Sequence, residues 1–201
     1  MEKETIQVEI PAGKKAAWVD GFLKLVDAEE EQKKDERPIT ERVKTFEDAC
    51  KELGEDHKLV QQFKAIQEAI AEDKEATAYF KLGIITAALN EGWKPDFTNN
   101  EEYRYYPYLC LWSKEELEQK TDAWKDERNL QLWLGGGGSA YGARCGLASS
   151  SSSDAWSYAD ANVSARLAHK TEELAIHSGK QFTELWANYT TGKEVTSWRN
   201  S

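Results

Sequence analysis

The glycine run GGGGS at 135–139 is the stretch whose residue types are most suggestive of chemistry. A phosphate-binding loop needs Gly-x-x-x-x-Gly-Lys-Ser/Thr, because the lysine neutralises the phosphates, but no lysine stands between Lys125 and Lys170. A hydrolase nucleophile elbow needs glycine two residues before and after its serine, and Ser139 has Tyr141 on the far side. A flexible linker is the third interpretation, and the folded-protein composition on both flanks argues against it. The run therefore predicts neither phosphate binding nor acyl chemistry.

Acidic and metal-ligating side chains do not form a recognisable catalytic set either. The acids of 115–127, EELEQKTDAWKDE, have no histidine near them in sequence to share proton transfer, which favours a solvated face. The three histidines and three cysteines show no zinc-binding spacing, and Asp154, Asp160 and Asn162 are too sparse for a calcium loop. We expect no metal, no cofactor and no enzymatic activity, and the cysteines are expected to be buried thiols.

Composition limits the partners that this chain can have. Its 201 residues carry a formal charge of -10 without a basic stripe, which argues against broad binding of nucleic acid or of an anionic membrane surface. A hydrophobic content of 40% indicates a globular protein of one large domain or two small ones. The N-terminus lacks the apolar core of a signal peptide, so we expect synthesis in the cytoplasm without a leader.

Local patterns predict a hairpin and then helices in the first hundred residues. Residues 5–10 alternate as a strand, 17–26 read as a second strand, and the charge run 27–37 is the best candidate for a domain boundary. Thr45 with Asp48 forms a capping box for a helix that stops at Gly54. Apolar stripes at helical spacing predict two more helices, over 57–71 and 76–93.

The second half of the chain reads as mixed strand and helix. The aromatic run 103–112 predicts a strand edged or broken by Pro107, and Ser113 with Glu116 predicts a second capping box. Residues 130–134 predict a strand, 163–170 predict a closing strand, and Thr171 is expected to cap a last helix that continues to Tyr189.

The segment 133–168 has a composition unlike that of its flanks. Lys, Glu, Gln, Met and Ile are absent from it, and Gly, Ser, Ala, Tyr, Asn and Asp dominate. Spaced apolar residues could pin it to a core, and Cys145, Leu147 and Trp156 are expected to point inward. Tyrosine gives contact area at low entropic cost, and small polar residues give adaptable hydrogen bonds, so this mixture is typical of binding loops.

This segment resembles the variable region of target proteins of diversity-generating retroelements. The shared pattern matches in order: Gly135-Gly136, the Gly142–Leu147 core, Trp156-Ser157 and the Ser164-Ala165-Arg166 closing element. The resemblance implies a fold similar to C-type lectins, display of a variable surface without catalysis, and a phage or prophage source. Ser164 replaces the usual closing glycine, and no calcium-binding Glu-Pro-Asn motif exists, so calcium-dependent sugar binding is not expected.

The genetic code gives this resemblance a further argument. Retroelement diversification replaces adenines, and an AAC codon so changed can encode Ser, Tyr, Asp, Gly, Ala, Arg or Asn. It cannot encode Lys, Glu, Gln or Met, which are absent between Leu134 and Ala168. It cannot encode Trp either, so Trp133 and Trp156 fall among the fixed scaffold positions. Ordinary loop composition is the alternative explanation.

We expect an α+β protein divided into an N-terminal β-hairpin with a charged linker (1–37), a helical region (38–100) and a C-type-lectin-like display unit with a C-terminal helix (101–201). The expected ligand is a protein or a glycan, and hot-spot statistics make Tyr141, Arg144 and Tyr158 the strongest anchors. The predicted ligand-facing residues are Tyr141, Arg144, Ser149, Ser151, Ser152, Ser153, Asp154, Tyr158, Asp160 and Asn162.

Two rival functions remain open at this point. The chain could be a structural or assembly protein of a phage particle, associated with the virion and homo-oligomeric through its first hundred residues. It could also be an intracellular phage protein that acts on a host factor, which suits its acidity but has no diagnostic motif.

Overall fold

The computed structural model of the protein describes seven stretches of the chain. They are residues 9–11, 13–19, 22–27, 35–99, 101–133, 146–156 and 165–200. The chain divides into two compact units, residues 1–37 and residues 38–201. The helices of 38–100 and the strands that follow them therefore belong to the same unit.

The first unit contains an antiparallel hairpin. Strand β1 (Lys14–Val19) pairs with strand β2 (Phe22–Asp27), and Val19 lies opposite Phe22. The prediction of one strand over 17–26 is wrong, because this range belongs to both strands. Asp20-Gly21 separates them in the sequence, and this dipeptide is a strong signal for a two-residue hairpin turn. Residues 5–8 of the other predicted strand lie outside the described residues, and residues 9 and 10 are not in a strand.

The second unit begins with four helices: α1 (Ile39–Arg42), α2 (Phe46–Leu53), α3 (Lys58–Ile66) and α4 (Lys74–Leu89). The capping box of α2 is confirmed. The amide of Asp48 donates to Thr45 Oγ1 at 3.0 Å, and the amide of Thr45 donates to Asp48 Oδ2 at 2.9 Å. The helix ends at Gly54, whose φ of 85° is unfavourable for residues with a side chain.

Helix α4 is the centre of the apolar core. Ile84, Ile85 and Thr86 are consecutive and all buried. Helix α4 is therefore covered on more than one face, whereas its apolar sequence pattern predicted a single buried face. Buried residues of other elements pack around it, including Val43, Phe63, Leu167 and Trp186.

A four-stranded antiparallel open sheet forms the rest of the unit. Its strands are β3 (Tyr103–Trp112), β4 (Gln131–Trp133), β5 (Gly146–Trp156) and β6 (Val195–Ser197), in the order β3-β5-β4-β6. Because β3 is an edge strand, Pro107 is tolerated within it without the loss of an internal ladder bond. The predicted strands 103–112 and 130–134 are thereby confirmed, the second in a shorter form.

Short helices connect and close the sheet. Helices α5 (Lys114–Glu118) and α6 (Asp122–Glu127) follow β3, and the predicted capping box of Ser113 and Glu116 begins α5. The predicted last helix is two helices, α7 (Glu172–Gln181) and α8 (Thr183–Thr191). They separate at Phe182, whose backbone leaves the helical region at φ -117° and ψ 32°. Thr171 caps α7 as expected, through a hydrogen bond from the amide of Leu174.

The closing strand predicted over 163–170 is wrong. Ala165–Leu167 forms a 3-10 helix, and only His169 makes a β-bridge, to Tyr105. The side chain of Asn90 makes hydrogen bonds to backbone groups of this segment that would pair with a neighbouring strand if a strand formed. Its Nδ2 donates to the Ala168 carbonyl at 2.8 Å, and its Oδ1 accepts from the Lys170 amide at 3.0 Å. Leu167, Ala168 and His169 are all buried, so the segment lacks the alternation of a half-exposed strand.

The architecture is therefore mixed α/β: the described residues contain eight α-helices, one four-stranded antiparallel sheet in the second unit and a two-stranded hairpin in the first. Helices cover both faces of this sheet near the start of β5. Leu147 packs with Ala187 of α8, whereas the adjacent Ala148 packs with Leu117 of α5. None of the helices in the described stretches has the length and apolar character needed to cross a bilayer.

Candidate functional site

The serine run that was expected to form loops is part of a long strand. Strand β5 has eleven residues, GLASSSSSDAW, and pairs with β3 from Trp156 opposite Tyr103 to Gly146 opposite Trp112. Serine has little intrinsic preference for strands, so local sequence did not indicate this element. Pairing with an aromatic strand supplies the missing stabilisation, because cross-strand neighbours dominate the energetics of a sheet.

This pairing sets part of the predicted site against the tyrosines of β3. Tyr108, Pro107, Tyr106 and Tyr105 lie opposite Ser151, Ser152, Ser153 and Asp154 respectively. The three tyrosines were not among the predicted ligand-facing residues. Their alternation in YRYYPYLCLW indicated a strand, but the partner of that strand could not be read from local sequence.

A β-bulge divides the serine run into two parts. Ser149 pairs with Leu109 and Ser151 pairs with Tyr108, which leaves Ser150 as the extra residue of β5. Because adjacent residues of β3 point to opposite faces, the bulge places Ser149 and Ser151 on opposite faces of the sheet.

Arg128 holds the backbone of the bulge. Its guanidinium Nη1 donates to the carbonyl oxygens of Ser149 and Ser150, each at 3.3 Å. The amide of Ser149 in turn donates to the carbonyl of Arg128 at 3.1 Å. The ring of Trp124 lies against the guanidinium, with its centroid 5.3 Å from the central carbon. These contacts fix the point at which the exposed part of β5 begins.

Ser149 is packed beneath helix α7 and does not face a ligand. It is 1% exposed, and a β-carbon built on Gly179 of α7 would lie 3.2 Å from its hydroxyl oxygen. The assignment of Ser149 to a ligand-facing surface is therefore wrong, because the helix covers the whole side chain. Leu147, which was expected to point inward, is likewise buried.

Four residues on one side of the ladder define what we call the tyrosine–serine face: Tyr106, Tyr108, Ser151 and Ser153. Alternation places these residues on one side of the ladder, and the bulge leaves Ser151 in register with Tyr108. Tyr108 is 51% exposed, and Ser153 is also exposed. Ser151 is half-buried, and Tyr106 is buried beneath the face.

Ser152 and Asp154 belong to the opposite side of the ladder by the same alternation, beside Pro107 and Tyr105. Ser152 is half-buried and Asp154 is exposed. The predicted site residues of β5 therefore separate into Ser151 and Ser153 on the tyrosine–serine face and Ser152 and Asp154 on the other side.

Tyr106 and Arg104 are buried residues on the same side of β3 as Tyr108. Burial raises the pKa of the Tyr106 hydroxyl, and the nearby positive charge of Arg104 opposes that shift. Arg104 is itself buried, and its guanidinium lies 5.1 Å from the centroid of Phe97.

On the edge of β3 that faces away from β5, Tyr105 forms a β-bridge with His169. The amide of Tyr105 donates to the carbonyl of His169 at 3.1 Å, and the amide of His169 donates back at 2.8 Å. Tyr105 is thus held between Asp154 on one side and His169 on the other. This bridge fixes the strand at the end of the ladder that carries Asp154.

The remaining predicted site residues lie outside the described residues. They are Tyr141, Arg144, Tyr158, Asp160 and Asn162, and the predicted inward side chains of Cys145 and Trp156 lie outside them as well. In the described parts of the chain, no group of three or more His, Cys, Asp or Glu side chains could hold a metal ion. Cys50 and Cys110 are half-buried free thiols.

Comparison of the chain with protein-family models, with curated protein sequences and with solved structures gave no match.

Proposed function

We propose that the protein recognises a protein or glycan ligand without catalysis, through the tyrosine–serine face and through the polar sequence segments 134–145 and 157–164. The observation that supports this function is the register of β3 and β5, which sets Ser151 and Ser153 beside Tyr108 and Tyr106. A surface of this kind combines tyrosine contact area with small hydroxyl groups that adapt to a partner.

The position of the face suits a surface whose side chains can change. Ser151 and Ser153 lie on a strand whose backbone is held by the bulge, by Arg128 and by the full length of β3. Exposed side chains on such a frame contribute little to folding, so substitutions there leave the backbone in place. A C-type-lectin-like fold and retroelement diversification in a phage or prophage are the finer parts of this proposal.

A ligand screen with matched variants tests the binding function. The full-length protein is applied to a glycan array and to a displayed library of bacterial surface proteins. Tyr108→Ala should weaken binding to any ligand found by about tenfold or more, because exposed tyrosines are common hot spots. Leu111→Ala is the control, since Leu111 is an exposed residue of the same strand that lies opposite Leu147, away from the serines. If both variants bind every ligand with the affinity of the native protein, the proposal is contradicted.

The diversification part has a separate test in the DNA. A template repeat near the gene that differs from codons 134–168 only at adenines would support it. A flanking region without a reverse transcriptase and without such a repeat would contradict diversification and leave ligand binding to be judged by the screen.

A second candidate function, assembly into a phage particle, is favoured by the hairpin of the first unit. Phe22 is 70% exposed, and Leu25 and Ile10 are exposed as well. Exposed apolar side chains on a two-stranded hairpin are typical of a segment that pairs with another chain. Light scattering of the native protein and of Phe22→Ser with Leu25→Ser tests this function. Assembly requires that the native chain forms oligomers and that the double variant is monomeric.

A further inference from the structure

A concave cavity of about 490 Å³ lies in the second unit, and its described lining residues all lie outside the strands. It is formed by the end of α2, the start of α3, the second half of α4 and the loop that follows α4. Its volume is within the range of small-molecule sites. Leucines and aromatic side chains supply much of its wall, including Leu53, Leu59, Trp93 and Phe97.

The charged side chains of this cavity are all positive. Lys58, Lys94 and Arg166 line it, and its described lining contains no Asp or Glu. This is unusual for a chain with 36 acidic and 26 basic residues. Within the described residues, neither Lys58 nor Lys94 forms an ion pair. An apolar pocket with a positive rim favours a ligand that carries a negative group on an apolar body.

Arg166 is an exposed residue whose stem forms part of the wall. A β-carbon added to Gly83 of α4 would lie 2.8 Å from Cδ of Arg166, so the arginine stem packs directly on the helix backbone. Glycine is costly inside a helix, and this close approach gives a physical reason for its presence at position 83. The guanidinium also lies 5.7 Å from the ring centroid of Tyr79, which limits its freedom further.

Glu102 holds the aromatic wall in position. Its Oε2 accepts a hydrogen bond from the Trp93 indole Nε1 at 3.0 Å, and its Oε1 accepts from the Asp96 amide at 2.8 Å. The loop that carries Trp93 and Phe97 is therefore tied at two points. A wall fixed before binding reduces the entropy lost when a ligand is held.

We propose that this cavity binds a small anionic molecule with a flat apolar body, such as an aromatic carboxylate, sulfonate or phosphate ester. The apolar body contacts Trp93, Phe97 and Leu59, and the negative group meets Lys58, Lys94 and Arg166. The proposal rests on the cavity alone and goes beyond recognition by the tyrosine–serine face, so either can fail without the other.

Two fluorescent probes test the cavity in the full-length protein. Anilinonaphthalenesulfonate is a flat aromatic anion, and N-phenylnaphthylamine has the same ring system without the sulfonate. In Lys58→Glu with Lys94→Glu, the anionic probe should bind about tenfold more weakly, while the neutral probe stays within about twofold of native affinity. Lys44→Glu with Lys114→Glu makes the same change in net charge at exposed positions that do not line the cavity, and it should leave both affinities unchanged.

A filled cavity provides the second arm of the test. Ala87 lies on α4 and lines the cavity, so Ala87→Phe should prevent binding of both probes. The thermal midpoint of this variant is measured beside its binding, and the charge-reversal pair decides the question if Ala87→Phe unfolds. Native affinity for the anionic probe in Lys58→Glu with Lys94→Glu would overturn the proposal, and so would a native protein that binds neither probe.

Discussion

Gly179 of α7 and Pro107 of β3 approach so closely that a β-carbon added at Gly179 would lie 2.9 Å from Cβ of Pro107. The ring of Pro107 is rigid and belongs to a paired strand, so it cannot move aside as a flexible side chain would. The helix therefore lies directly on the β3–β5 ladder because its contact residue has no side chain. This contact buries Ser149 and leaves the other face of the ladder to carry the exposed tyrosine.

Gly179→Ala tests this contact. The added methyl group should lower the free energy of unfolding by about 1 to 3 kcal/mol, the usual cost of overpacking a close interface. The control is Glu172→Ala, which places an alanine at an exposed position of the same helix. Denaturant unfolding of both variants makes the comparison. Equal effects of the two substitutions would show that the contact with Pro107 is not tight.

Arg128→Gln tests the support of the bulge. The substitution removes two hydrogen bonds to the Ser149 and Ser150 carbonyl oxygens, so unfolding should become easier by about 1 to 3 kcal/mol. Amide hydrogen exchange at Ser150 and Ser151 should also accelerate. The control is Arg199→Gln, whose ion pair with Asp126 is exposed to solvent and should therefore change unfolding little. Unchanged exchange in Arg128→Gln would mean that pairing with β3 alone fixes the bulge.

The stability of the fold should depend on pH through His169. Burial lowers the pKa of His169 from 6.5 to about 3, and nearby backbone of Tyr105 opposes the shift without reversing it. Between these two pH values the unfolded chain binds the proton and the folded chain does not. The free energy of unfolding therefore falls as the pH drops from 6.5 toward 3, by at most about 1.4 kcal/mol per pH unit for this group.

Urea unfolding between pH 7 and pH 4 measures this dependence. His177 adds an effect of the same sign, because burial also lowers its pKa against a hydrogen bond to the Val43 carbonyl. The variants His169→Gln and His177→Gln separate the two contributions. His169→Gln should flatten the pH profile more than His177→Gln, and an unchanged profile in His169→Gln would mean that folding does not lower the pKa of this imidazole.

The elements that sequence reasoning located correctly carry their own boundary signals. Thr45, Ser113 and Thr171 each begin a helix through a hydrogen bond within three residues, and Gly54 ends one with a positive φ. These signals are local, so the sequence around each residue was sufficient. The division of 17–26 into two strands is not predicted, although Asp20-Gly21 is such a signal. The apolar residues on both sides of this dipeptide resemble one continuous strand.

The elements that were missed depend on distant partners. Strand β5 forms because β3 lies beside it, and its serines alone do not favour a strand. The predicted closing strand does not form, because the side chain of Asn90, which is distant in sequence, hydrogen-bonds to the backbone of Ala168 and Lys170. The candidate site was affected in the same way, since the bulge at Ser150 decides that Ser149 is buried and Ser151 is not.

The most direct measurement of the proposed function compares two libraries of the full-length protein displayed on yeast. One library randomises Tyr108, Ser151 and Ser153 of the tyrosine–serine face, and the other randomises the buried Leu147, Ala148 and Ser149 of the same ladder. Most members of the first library should keep a thermal midpoint within about 4 °C of the native value and yield binders to unrelated proteins or glycans, whereas most members of the second should unfold. Equal loss of folding in both libraries, or a folded first library without binders, would contradict the account.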